Sequence, residues 1–196
     1  MITKEILGLI SVAIMVISNL FYLTSIFKGR TKPHVFSWLT WGIIAAIAFL
    51  AQVSDNAGPG SWTMGFITFT CFMYSILALF KGEKNIKKSD WLCFITALIT
   101  IPLWYFTKTP FWSVILISII NALGYIPTFR KSFSNPYEEA ILPWSLSISG
   151  VIISMIALDK LSVITLLYPL TSVIISVGLV SMMVWRRAIL KKKNIA

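Results

Sequence analysis

From Ile6 to Phe27 the chain carries no charged side chain. One helix needs about 20 apolar residues to cross a bilayer, and this run is long enough. It outlasts the roughly 7–15-residue apolar core of a secretory signal and has no small-x-small cleavage pattern near its end. It therefore reads as a first span. Six more uncharged runs follow: Val35–Val53, Trp62–Phe80, Trp91–Phe106, Phe111–Phe129, Ile141–Leu158 and Leu161–Trp185. The chain is 57% hydrophobic and 12% charged, with a mean hydropathy of +0.84; soluble domains carry about 25% charge. The runs are too long and too unbroken for barrel strands, which alternate over about 10 residues. The expected fold class is an all-α integral membrane protein with seven transmembrane helices.

The cations follow the same segmentation. Lys28, Arg30 and Lys32 follow the first run; Lys81, Lys84, Lys87 and Lys88 follow the third. Arg130 and Lys131 follow the fifth, and Arg186, Arg187, Lys191, Lys192 and Lys193 follow the seventh. Only Lys4, Lys108 and Lys160 fall on the other side. Short cytoplasmic loops collect Lys and Arg, so the expected N-terminus is outside and the C-terminus cytoplasmic. The net charge of +10 is thereby assigned to loops beside a lipid bilayer, and no nucleic-acid partner is implied. The expected location is the cytoplasmic (inner) membrane, multi-pass. Trp62, Trp91, Trp112 and Trp185 stand at run ends, as interfacial anchors do. Cys71 and Cys93 lie inside apolar runs and read as buried thiols.

The stretch GRTKPHVFSWLTW, Gly29 to Trp41, has an echo in KSFSNPYEEAILPWSLS, Lys131 to Ser147. Set in one register, Tyr22 meets Tyr125, Leu23 meets Ile126, Lys28 meets Lys131 and Pro33 meets Pro136. A three-residue insertion at Glu138, Glu139 and Ala140 then brings Trp38 opposite Trp144. Runs one to three match five to seven in span order, charge and proline placement, which reads as an internal repeat. The expected organisation is a first three-helix repeat at 1–82, a linker helix at 83–109, and a second repeat with a basic tail at 110–196. An odd linker helix keeps the repeats parallel.

This three-plus-one-plus-three plan, with its duplicated motif, resembles the PQ-loop superfamily, which includes SWEET sugar transporters, lysosomal amino-acid transporters, nicotinamide riboside transporters and KDEL receptors. The family motif is a Pro-Gln near the cytoplasmic end of each repeat's first helix, a basic turn, then a serine opening the next helix. Here Pro127-Thr128 keeps the proline, followed by Arg130 and Lys131, whereas the first repeat has Thr24-Ser25. Ser37 and Pro143 hold the helix-opening position. The resemblance implies a transporter or receptor. In SWEET proteins the third helix of each repeat supplies an Asn; here those helices offer Thr68, Thr70, Tyr74, Thr171 and Ser172 instead.

No carboxylate or lysine lies within an apolar run; Glu5, Asp55, Glu83, Asp90, Glu138, Glu139 and Asp159 fall at run ends or in loops. A hydrolase needs a nucleophile with a placed base, and a metal centre needs several ligands. Neither is available, so no enzyme, cofactor or metal is expected, and a seventh run without lysine argues against a retinal Schiff base. The missing intramembrane charge favours facilitated movement or coupling through neutral ligands. The remaining candidates are neutral. Asn19 and Tyr22 share a helical face, as do Asn121 and Tyr125. They read either as solute hydrogen-bonding groups from both repeats or as glue between helices. Trp41 lies about a turn deeper than Trp38 and is the better stacking platform; Trp38 and Trp144 read as an interfacial belt. Pro127 reads as a hinge or as a helix-end proline, and Pro169 as a kink. His34 reads as a loop residue.

The expected function is a membrane transporter moving a small polar or aromatic solute by alternating access. Its substrate-binding residues are Asn19, Trp41, Thr68, Asn121, Ser147 and Ser172, with Pro127 as hinge. The alternative is a non-transporting receptor or assembly subunit of the same fold. Assembly with further copies of the chain stays open.

Overall fold

The structure is a computed structural model that describes residues 3–88, 90–92, 94–95, 98–99 and 110–193. The described residues form helices and turns, with no strand among them. In chain order these are α1 (Lys4–Phe27), α2 (Val35–Ser54), α3 (Trp62–Lys81), the helical residues between 88 and 99, designated α4, then α5 (Pro110–Ser134), α6 (Ile141–Ile156) and α7 (Val163–Lys193). Short 3-10 turns at Gly58–Ser61 and Pro136–Glu138 lead into α3 and toward α6. Most of the fourth apolar run, including Cys93, and the lone cation Lys108 lie outside the described residues.

Four segments are long and apolar enough to cross a membrane: Lys4–Phe27, Val35–Ser54, Gly58–Lys81 and Val163–Lys191. Ile141–Ile156 is apolar but shorter. The polarity of these helices is reversed relative to a soluble bundle. α1 turns Gly8, Ser11, Ser18, Asn19 and Tyr22 inward, while Leu9, Ile17 and Leu20 are exposed. Phe69, Ile76, Ile156 and Ile174 are likewise exposed on α3, α6 and α7. A soluble surface rarely carries apolar patches of such extent; hydrocarbon removes the penalty.

α3 packs against both α1 and α2, which meet each other through the rings of Tyr22 and Trp38; α7 likewise packs against both α5 and α6, which meet through Tyr125 and Trp144. Across the middle, α1 packs on α6 and α2 on α5, with α2 also reaching α7 and α3 reaching α6.

The structure redraws two helix ends. Arg130 and Lys131 belong to α5, which runs through Pro127 to Ser134, not to a loop. α7 likewise continues past Trp185 to Lys193. Lys and Arg are good helix formers, so an apolar run ends before its helix does. Pro127 is therefore inside a helix and not at its end.

Candidate functional site

A cavity of about 110 Å³ opens where the two sets of three helices meet. An engineered cavity of about 150 Å³ holds benzene, so this one suits a ligand of comparable size or smaller. α1 contributes Asn19 and Tyr22, α2 Trp38 and Trp41, and α3 Tyr74; the other set contributes Asn121 and Tyr125 from α5, Trp144 and Ser147 from α6, and Ser172 from α7. Five of the six residues expected to bind solute thus line one cavity. Thr68 does not. It lies about 100° round α3 from the lining residue Ile67, and its hydroxyl donates to the Met64 carbonyl at 2.9 Å. Periodicity gives a residue's depth; here the phase of α3 turns this one aside.

Trp38 and Trp144 depart from the belt expectation. Both line the cavity and stack on each other, with ring centroids 6.1 Å apart. Trp41 and Tyr125 are 4.6 Å apart, Trp38 and Tyr74 also 4.6 Å, and Tyr22 and Tyr74 4.9 Å. Six rings from four crossing helices and α1 thus make one continuous aromatic wall. The Trp41 indole N–H has no hydrogen-bond partner, and its nitrogen lies close over Gly124, where an added Cβ would come within 2.9 Å. By contrast Trp62, Trp91, Trp112 and Trp185 are between 43% and 56% exposed, as anchors should be.

The polar lining groups bond to one another. Asn19 Nδ2 donates to the Met15 carbonyl at 2.7 Å, and the Tyr74 hydroxyl donates to Asn19 Oδ1. Asn121 Nδ2 donates to Ser172 Oγ at 2.9 Å, and Tyr125 shares a hydrogen bond with Ser176 at 2.5 Å. Ser18 donates to the Pro143 carbonyl at 2.7 Å and meets Ser147 at 2.8 Å. Each asparagine therefore ties the first helix of its set to the third, the glue role, while still facing the cavity. At the helix-opening positions, Thr128 donates to Ser37 at 3.1 Å, joining α5 to α2 as Ser18 joins α1 to α6.

One end of the cavity holds charge that the sequence did not reveal. Glu139, between the Pro136–Glu138 turn and α6, is 2% exposed and paired with the equally buried Lys131. Its Oε1 accepts from the Tyr22 hydroxyl at 2.7 Å and from Trp144 Nε1 at 3.2 Å. Lys131 Nζ also donates to the Lys32 carbonyl at 2.6 Å. Arg187 braces the same loop through the Pro136 and Glu139 carbonyls, at 2.8 Å and 2.5 Å. Nearby, His34 is not an open loop residue. It stands at the N-cap position of α2 without a side-chain capping bond, is 1% exposed, and faces Asp90 at 3.3 Å. Arg130 reaches the same Asp90 oxygen at 2.6 Å. Burial pushes the His34 imidazole below its ordinary value, outweighing the opposing pull of Asp90, with Lys131 and Arg130 adding to the depression. A loop acidic pair beside a basic helix end was the only available signal, and in hydropathy terms it reads as surface.

Among the described residues no group of three or more His, Cys, Asp or Glu side chains could hold a metal ion. No family model, curated protein or solved structure matches the chain.

Proposed function

We propose that the chain is a seven-span transporter that carries a small polar or aromatic solute across the cytoplasmic membrane by alternating access. Two parallel three-helix repeats flank a linker helix, in the manner of the PQ-loop superfamily. The N-terminus lies outside and the basic C-terminus in the cytoplasm. The observation that carries this reading is the cavity walled by both helix sets, with aromatic faces and paired polar groups. The matched packing supports the repeat: α1 on α3 answers α5 on α7, α2 on α3 answers α6 on α7, and α1 on α6 answers α5 on α2. A site at the junction of two repeats is reached from either face when one set rocks against the other. Pro127 inside α5 and Pro169 inside α7 each remove a backbone hydrogen bond and lower the cost of bending there.

The test is a thermal-shift screen of the purified protein against sugars, amino acids, nucleosides, amines and vitamins, followed by uptake of any hit into proteoliposomes. A ligand that binds only the folded form raises Tm by mass action. Stabilisation together with saturable uptake, both weakened by Trp41→Ala, is the expected result. A folded protein with no hit, which co-purifies with a stoichiometric partner, overturns the transport reading in favour of a receptor or assembly subunit.

A further inference from the structure

The cavity's recognition chemistry is set less by its hydrogen-bonding groups than by its ring faces and the buried ion pair behind them. Asn19, Asn121, Ser147, Ser172 and the hydroxyls of Tyr74 and Tyr125 are turned onto other groups of the protein. A sugar needs several free donors and acceptors around its ring; few are on offer. What faces the space is chiefly aromatic, the six contacting rings and Tyr168, and aromatic faces carry partial negative charge. No Lys, Arg, Asp or Glu lies among the described lining residues, so nothing there neutralises an anion directly.

The ion pair has a direction. Glu139 Oε1 is held by two lining side chains, Tyr22 and Trp144, whereas Lys131 bonds to Oε2 and to the Lys32 carbonyl, away from them. The negative pole of the pair thus stands on the cavity side. Aromatic faces and an oriented carboxylate favour the same sign of ligand, and both act with little water to screen them.

We infer that this cavity recognises a small organic cation, a quaternary or protonated amine of benzene-like volume, the cation lying against the rings of Trp38, Trp41 and Trp144. The inference rests on the transport reading and names its substrate class. The neutral wall admits the cation without a dedicated counter-ion in contact, so the ligand can leave again.

The experiment measures binding of choline, tetramethylammonium, 3,3-dimethylbutan-1-ol (the neutral carbon isostere of choline) and glucose to the full chain in detergent by titration calorimetry. Exchange of labelled choline in proteoliposomes runs alongside. The expected result is binding of choline about tenfold or more tighter than its neutral isostere. In the Lys131→Met/Glu139→Gln double variant, which leaves no unpaired buried charge, that preference should shrink about threefold while the isostere still binds. If the isostere or glucose binds as tightly as choline, the cation class is wrong and the transport reading stands. If nothing in the panel binds folded protein and no exchange occurs, the cation class falls; if the broader solute screen is then also empty, the transport reading falls with it.

Discussion

The two ends of the helix bundle are closed by different means. At the end that carries Lys4, closure is made of backbone and short side chains. Gly8 abuts Pro59 so closely that an added Cβ would stand 2.9 Å from its carbonyl oxygen, and Gly60 meets Leu158 and the Ser154 carbonyl just as tightly. Ser11 bridges Thr63 at 2.6 Å and the Gly150 carbonyl at 2.7 Å. Opening this end means separating helices and losing close packing along them. At the end that carries Arg187, closure is made by long side chains: Lys131, Glu139, Tyr22 and Trp144, braced by Arg187. Opening there needs rotamer changes, and water that enters hydrates the ions as it parts them, offsetting the lost Coulomb attraction. On the transport reading proposed above, the charged end is the gate expected to move first, and the packed end the one that must be pried apart.

Substitutions can break this contrast. Lys131→Met leaves Glu139 buried without its cation and should cost about 3–5 kcal/mol of stability, read from unfolding of the purified protein in detergent. Adding Glu139→Gln should restore most of it. A single-variant loss no larger than that of an exposed pair would mean that the gate is already wet. At the other end, Gly60→Ala introduces a Cβ 2.7 Å from the Ser154 carbonyl oxygen and should cost about 1–3 kcal/mol by overpacking. No second substitution of opposite charge should rescue it.

Mild acid should act first at the charged end, where the only histidine, His34, is buried. Its folded-state affinity for a proton is depressed below the ordinary value of 6.5, so the unfolded chain binds the proton more readily. Stability is then fully present above about 6.5 and declines as pH falls below it. His34→Gln should flatten the slope of Tm between about pH 5 and 7; an unchanged slope would assign it to a carboxylate instead. The smallest effect belongs to the exposed pair at the packed end. Lys160 reaches Asp55 at 2.5 Å with its side chain 56% exposed, and Lys160→Ala should cost less than about 1 kcal/mol.

The sequence reveals the packed end more readily than the gate. Uninterrupted apolar runs mark where helices must be, and the observed α1, α2 and α3 match them within a residue or two. Five of six expected cavity residues fall together; for Asn19 and Asn121 the reason is that an amide within an apolar helix has few places to go but inward. Glu139 is hidden in the sequence because a short acidic stretch between two helices looks like solvent-facing loop. Only the fold-back of Pro136–Glu138 and the arrival of Lys131 from α5 bury it. Trp38 and Trp144 escaped for a related reason: distance from the basic residues gives depth along a helix, not the direction a ring faces. Thr68 failed on that same missing angle.

The segregation of indoles gives the molecule two built-in optical reporters. Trp62, Trp91, Trp112 and Trp185 stand exposed on the surface, and Trp38, Trp41 and Trp144 surround the cavity; Trp104 lies outside the described residues. Brominated lipid should quench emission from the first group by collision and spare the second. The emission that survives would then report occupancy of the cavity directly, with no label attached and no substitution made.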